Sequence, residues 1–231
     1  MKTKRLLLIS NSKPYNGGYL DHVETELKNF LEGCSLLLFV PFALKNLDGY
    51  MAIARDRFSE IGISLTSVHE VEDAKQAVSN AEAIFIGGGN TFRLLYWLYQ
   101  KQLINTIRDR ALSGMPYIGT SAGANVACPT IKTTNDMPII YPPSFDALNL
   151  VSFQINPHYI DVDPNSKHMG ETREQRLKEF HEENETPVIG LREGSWLRVE
   201  GSKIQLKGTG GAKLFIKEKN AVELKNGVFK I

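Results

Sequence analysis

Short apolar runs alternate with helix-patterned stretches along the first half of this chain, and that alternation limits the folds open to it. The runs fall at residues 5–10, 35–42, 63–68, 83–86 and 116–119. Between them lie candidate helices at 20–31, 48–61, 71–78 and 91–113. In the first of these, Val23, Leu27, Phe30 and Leu31 share one face and Gly33 stands just beyond the end. A strand wet on one side alternates polar with apolar residues, whereas a strand covered on both sides is apolar throughout. The pattern therefore predicts an α/β fold: a mostly parallel central sheet with helices on both faces.

The second half changes character. Residues 137–141 and 150–155 have strand patterns, and 171–183 reads as an amphipathic helix with Leu177 and Phe180 inward. From 188 to 231 strands and turns dominate, giving a strand-rich C-terminal part. Turns are expected at 200–201, 208–211 and 226–227, the last being Asn226-Gly227, a strong hairpin signal. No internal repeat and no long linker interrupts the chain, so residues 1–231 are expected to form one α/β domain. The opening, Met1 to Arg5 followed by Leu6 to Ile9, imitates a secretory leader. Its apolar run is too short and ends at Ser10-Asn11-Ser12-Lys13, so a buried first strand is the better reading.

Charge narrows the partners. With 27 Lys and Arg against 26 Asp and Glu, the chain lacks the basic excess of a nucleic-acid binder. A small polar ligand fits better. No apolar run approaches a membrane span. Cys34 and Cys128 are too few for a disulfide framework, and two reduced thiols in a cytoplasmic protein are expected.

Chemistry concentrates in Gly119-Thr120-Ser121-Ala122-Gly123, a G-x-S-x-G pattern between a strand and a helical start. The small neighbours permit a sharp turn that would raise the Ser121 hydroxyl at the carboxyl edge of the sheet. The competing reading makes Ser121 an ordinary helix cap. A second cluster, Gly87-Gly88-Gly89-Asn90-Thr91-Phe92, follows the preceding strand. Its amides suit an oxyanion, and one of them could work with the amide of Ala122. No Lys-Ser or Lys-Thr pair follows, which removes a phosphate loop. The plain alternative there is a helix capped by Asn90 or Thr91.

A hydroxyl nucleophile needs a base. Of the histidines, His22 and His181 lie in polar helical stretches and are expected to be solvated, and His69 sits at a strand end. His158 leaves a strand-like segment at Asn156-Pro157 and is the best placed. The acid that orients it is either Glu193 or Asp136, and spacing does not decide between them. Asp161, Asp163 and His168 follow His158 and raise the question of a metal. In an extended chain, however, the two aspartates face away from His158, and metal-ligand spacings are missing.

Five segments together resemble the peptidase E family of serine peptidases, the α-aspartyl dipeptidases. They are Gly87–Phe92, Gly119–Ala124, Asn156–His158, Gly170–Arg176 and Gly190–Gly194, in the family's order and across most of the chain. The resemblance implies a flavodoxin-like fold related to class I glutamine amidotransferases. It also implies a cytoplasmic enzyme, without metal or cofactor, that cleaves dipeptides beginning with aspartate. Carried over by position, Ser121 is the nucleophile, His158 the base and Glu193 the acid, with Asp136 as second choice. Gly88 and Ala122 match the oxyanion positions. Arg173 matches the residue for the substrate's aspartyl carboxylate, and Asn90 falls with it in the substrate-binding set. Arg173 also continues the inward stripe of Leu177 and Phe180, where its fork suits a carboxylate. The expected partner is a small acidic dipeptide, with no nucleic acid and no membrane, acted on by a monomer or homodimer. The rivals are a cyanophycinase-like hydrolase of β-aspartyl peptides and a non-catalytic binding protein on the same fold.

Overall fold

The computed structural model describes residues 3–165, 167 and 169–231. Strands β1 (Arg5–Ile9), β2 (Leu36–Val40), β3 (Ser64–Ser67), β4 (Ala83–Ile86) and β5 (Tyr117–Thr120) run parallel in the order β1-β5-β4-β2-β3. Successive side chains of a strand point to opposite faces, so each apolar run feeds two cores. Leu6, Leu8, Val40, Ile84, Ile86 and Tyr117 face one side. There they meet Leu94 and Leu98 of α4 (Thr91–Gln100) and Ile107 of α5 (Leu103–Leu112). Leu7, Ile9, Leu37, Phe39, Phe85 and Ile118 face the other side. Their partners are Leu27 and Phe30 of α1 (Glu24–Phe30) and Met51 and Phe58 of α2 (Leu47–Glu60). The expected helix at 71–78 is α3 (Ala74–Asn80), started by the Asp73 side chain accepting from the Gln76 N–H.

The helix expected over 91–113 is broken in two. Gln102 takes a positive φ of 54° between α4 and α5. The reason lies in the stripe: an unbroken helix would carry Lys101 or Gln102 and then Asn105 into the core after Leu98. The break resets the phase so that Leu103, Ile104, Ile107 and Ala111 are buried instead.

The C-terminal strands divide between two sheets. β8 (Ser195–Glu200), β9 (Lys203–Gly208) and β12 (Gly227–Phe229) continue the large sheet antiparallel from β1, giving the order β12-β9-β8-β1-β5-β4-β2-β3. A second sheet has the order β11-β10-β7-β6, from β6 (Gln154–Pro157), β7 (Val188–Leu191), β10 (Ala212–Phe215) and β11 (Val222–Leu224). The hairpin expected at Asn226-Gly227 does not form, because β11 belongs to the second sheet and β12 to the first. Asn226 instead donates from Nδ2 to the carbonyl of Gly208, 2.7 Å away, tying this crossover to the one at 209–211. The turn at Glu200-Gly201 does close a hairpin, between β8 and β9.

Residues 137–141 are not a strand. Pro138, Pro142 and Pro143 offer no N–H for a ladder, and Met137, Ile139 and Tyr141 are 74%, 55% and 81% exposed. The strand expected at 150–155 starts later, as β6, and ends at the proline before His158. The helix α7 (Arg173–Glu183) forms as expected, with Leu177 buried and Phe180 packed beside it.

One glycine of the turn after β5 tests this packing directly. A Cβ on Gly123 would stand 2.1 Å from the carbonyl oxygen of Ile86, a backbone atom of a central strand. Gly123→Ala is expected to lower unfolding free energy in urea by at least about 2 kcal/mol through overpacking. A variant as stable as wild type would contradict this placement.

Candidate active site

The turn after β5 is sharp. Ser121 has φ 50° and ψ −108°, a conformation that an L-residue holds only when its surroundings fix it. They do: the Ser121 N–H donates to the carbonyl of Ile9 at 2.9 Å, and the Tyr117 hydroxyl donates to the carbonyl of Gly123 at 2.6 Å. Ser121 stands at the N-cap position of α6 (Ala122–Asn125), yet its side chain makes no cap bond. Its Oγ lies 2.9 Å from Nε2 of His158.

His158 is carried to that point by β6. The Ile155 carbonyl accepts from Asn125 Nδ2 at 2.8 Å and from Thr133 Oγ1 at 2.9 Å. Asn156 Nδ2 donates to the Thr133 carbonyl and to Asn135 Oδ1, and Asn135 Nδ2 donates to the Pro157 carbonyl. With the strand so lashed, His158 turns out of it at a φ of 52°. Nδ1 of its ring faces Glu193 Oε1 at 2.6 Å. A carboxylate only accepts, so Nδ1–H donates to Glu193. Nε2 is then left to accept from the Ser121 hydroxyl. Glu193 follows β7, which pairs with β6 through Pro157 and Leu191.

Asp136, the alternative acid, is elsewhere. Its Oδ2 accepts from the Thr91 N–H at 2.7 Å, the Thr91 hydroxyl at 2.6 Å and the Thr134 hydroxyl at 3.2 Å. It lines a cavity of about 410 Å³ together with Ser12, Gly88, Ser121, His158 and Arg173. Gly88 packs against the serine so closely that a Cβ there would meet Ser121 Cβ at 3.1 Å. Ala122 is the first residue of α6, where an N–H has no partner within its own helix. Arg173 opens α7 behind a capping box made by Thr172 and Gln175. Among the described residues its guanidinium has no hydrogen bond or ion pair. Burial and the neighbouring Arg176 lower its pKa against the pull of Asp136, and an arginine remains charged throughout. Asn90 does not line the cavity. Its Oδ1 caps α4 by accepting from the Arg93 N–H, and its Nδ2 donates to the Met137 carbonyl.

The remaining histidines lie apart. His22, expected to be solvated, has both ring nitrogens buried without a partner among the described residues and its ring edge-on to Trp196. The turn before α1 rotates it inward onto β8, and burial lowers its pKa. His181 is also buried, with Nε2 3.1 Å from the Thr186 carbonyl at the end of α7. His69 sits between Ser67 and Asp48. His168 lies outside the described residues. Among the described residues no group of three or more His, Cys, Asp or Glu could hold a metal ion, and no helix is long and apolar enough to cross a membrane.

Sequence reasoning passed over Ser12, Thr134 and Asn135, which line the cavity. A signal for Ser12 was available. It stands in the polar Ser10-Asn11-Ser12 that closes an apolar strand, and ligands gather beyond the carboxyl ends of parallel strands.

Asp161, next to the site, binds Arg192 rather than a metal. Arg192 Nε donates to Asp161 Oδ2 at 2.6 Å and Nη1 to Glu223 Oε1 at 2.6 Å, while Lys213 Nζ lies 2.7 Å from Asp161. The Arg192 hydrogen bond, helped by Lys213, pulls the Asp161 carboxyl down from 3.8 to about 2 against desolvation.

Comparison with known proteins gives concordant matches. A family model described as peptidase family S51 matches residues 6–207. A protein named peptidase E from Streptomyces coelicolor is 52% identical over 210 residues, covering 91% of this chain and 86% of that one. A Drosophila melanogaster protein described as a "Probable alpha-aspartyl dipeptidase" is 47% identical over 224 residues, 96% of this chain and 93% of that one. Among solved structures, a peptidase from an acI-B1 Actinobacterium matches with a TM-score of 0.72 at 18% identity, covering 99% of this chain and 97% of that one. The last likeness concerns the fold.

The depressed carboxyl of Asp161 sets a pH dependence. Its folded pKa lies below its unfolded value, so its ion pair stabilises the fold above about pH 4 and is lost as pH falls toward about 2. Wild type is therefore expected to exceed Asp161→Asn in urea stability at neutral pH, with the gap closing across that acid range. A gap that stays constant across it would contradict the assignment.

Proposed function

The chain belongs to peptidase family S51, and from that footing we propose that it is a serine dipeptidase releasing N-terminal aspartate from α-aspartyl dipeptides through an acyl-enzyme. One observation carries the reading: Ser121, His158 and Glu193 form a continuous relay beside a guanidinium that has no acidic partner among the described residues. Ser121 Oγ attacks the carbonyl carbon of the aspartyl residue while His158 Nε2 takes its proton. Glu193 holds the imidazolium that results. The amides of Gly88 and Ala122 receive the oxyanion. His158 then passes its proton to the leaving amine as the C–N bond breaks. A water molecule, deprotonated by the same ring, attacks the ester and frees aspartate and Ser121.

Substrate charge is matched locally. Arg173 takes the aspartyl carboxylate, for which its planar fork is suited. Asp136, already anchored by Thr91 and Thr134, supplies a carboxylate for the free α-ammonium. Asn90 holds the wall of the site by capping α4. Residues from Gly88 to Glu193 contribute to one cavity or its relay, which supports treating 1–231 as one hydrolytic domain. One chain supplies every group, so a monomer suffices and a homodimer is compatible. The free thiols of Cys34 and Cys128 suit a cytoplasmic setting.

Hydrolysis of Asp-Leu, β-Asp-Leu, Glu-Leu and Ala-Leu tests the assignment. Asp-Leu is expected to be the best substrate, and a preference for β-Asp-Leu would replace the α-aspartyl reading with the cyanophycinase-like one. Ser121→Ala should lower kcat by at least about 10³-fold; a folded variant with full activity would remove the mechanism. Arg173→Ala should lower kcat/KM on Asp-Leu by about 10- to 100-fold, the worth of a charged hydrogen bond. Its effect on Ala-Leu should be small, and an equal loss on both would remove its role.

A further inference from the structure

Three consecutive residues at the exit of β1 hold the backbone at all three members of the relay. The Ile9 carbonyl accepts from the Ser121 N–H at 2.9 Å. The Ser10 hydroxyl accepts from the His158 N–H at 2.9 Å and donates to the Leu191 carbonyl at 2.8 Å. Asn11 Oδ1 accepts from the N–H of Gly194, the residue after Glu193, at 2.8 Å, and its Nδ2 donates to the Lys13 carbonyl at 2.9 Å. Ser10 is fully buried and Asn11 is 1% exposed. The Ile9 contact is ordinary extension of a strand ladder. The other two are made by side chains, at positions where an apolar residue would have continued the core.

We propose that Ser10, with Asn11 beside it, is a positioning residue for the relay: it sets where the His158 ring stands between Ser121 and Glu193. This role rests on the serine-hydrolase reading of the site. His158 adopts φ 52°, in the left-handed region that L-residues avoid. Among the described residues no backbone carbonyl receives its N–H. The Ser10 hydroxyl is the acceptor that satisfies it. The same hydroxyl reaches the Leu191 carbonyl, which also accepts from the Tyr159 N–H at 3.1 Å. One oxygen atom thereby joins the turn that carries the base to the end of the strand that leads to the acid. Asn11 repeats the device one residue further on, at Gly194. His158 and Glu193 arrive on separate segments, so the 2.6 Å bond between them depends on both segments being referred to one rigid strand. β1 is that strand, paired on both sides by β5 and β8.

Neither side chain lines the cavity, so the expected signature is in kcat rather than in KM. A displacement of about 1 Å in a catalytic group can cost about 10²-fold. Ser10→Ala is accordingly expected to lower kcat on Asp-Leu by about 10- to 100-fold, with KM within about twofold. In proton NMR it should also shift or broaden the downfield resonance of the His158 Nδ1 proton shared with Glu193. Ser10→Thr, which keeps the hydroxyl, should restore both. Ser67→Ala removes another fully buried hydroxyl, one that donates to the Phe39 carbonyl away from the relay. It should lower stability without changing kcat or the resonance.

If Ser10→Ala does not fold, Ser10→Cys carries the test. It is nearly isosteric with serine, and its weaker hydrogen bonds should still lower kcat and shift the resonance. A folded Ser10→Ala or Ser10→Cys with wild-type kcat and an unmoved resonance overturns the positioning role. Wild type and Ser121→Ala are assayed alongside. An active wild type with an inactive Ser121→Ala isolates that failure to Ser10. A wild type that fails to cleave Asp-Leu, or a fully active Ser121→Ala, overturns the hydrolase reading and the positioning role with it.

Discussion

The burial of β1 on both faces and along both edges is the constraint from which the site follows. Leu6 to Ile9 are fully buried, and the strand lies between parallel β5 and antiparallel β8. The parallel neighbour brings the turn at Ser121 to its carboxyl end. The antiparallel neighbour begins at Ser195, just after Glu193, and starts from that same end. A residue near the end of β5 and another just before β8 are thus brought to one edge although they lie far apart in sequence. Close packing leaves this framework little freedom, and the side chains at the edge inherit its precision.

The second sheet completes the arrangement. β6 and β7 run parallel, so both chains exit at one edge, His158 from the first and Glu193 shortly after the second. Asn125, Thr133, Asn135 and Asn156 tie β6 to the loop that also carries Asp136. His158 and Asp136 are therefore placed by one polar network. The chain's charge is nearly balanced, 27 against 26, so no strong net field draws a charged ligand. The cavity places a positive group at Arg173 and a negative one at Asp136, and under the proposed function selection falls to these two.

Much of this was legible in the sequence because it rests on local chemistry. Doubly covered strands have to be apolar throughout, and the turn at Ser121 needs Gly119 and Gly123, on which a Cβ would meet backbone at 2.3 and 2.1 Å. What escaped depended on distant pairing. Asn226-Gly227 has the chemistry of a hairpin turn, yet β9 and β10 compete for its flanking strands. Residues 137–141 are rich in the β-branched and aromatic residues of a strand, but Pro138 within them and Pro142-Pro143 after them deny them a ladder. His22 looks polar in its own sequence stretch, yet its ring nitrogens are covered where β8 brings Trp196 against it. Spacing alone did not separate Glu193 from Asp136; in the folded chain one meets the ring and the other meets Thr91.

In the proposed reaction Ser121 becomes covalently acylated by the aspartyl residue, and the rest of the chemistry turns on that step. The most direct measurement is acid quenching during turnover of Asp-Leu, followed by mass spectrometry of the peptide that carries Ser121. This peptide is expected to gain the mass of one aspartyl residue, the adduct to decay as substrate is exhausted, and Ser121→Ala to show none. Sustained hydrolysis with the adduct on another residue, or with Ser121 unmodified throughout a rapid-quench series, would contradict it.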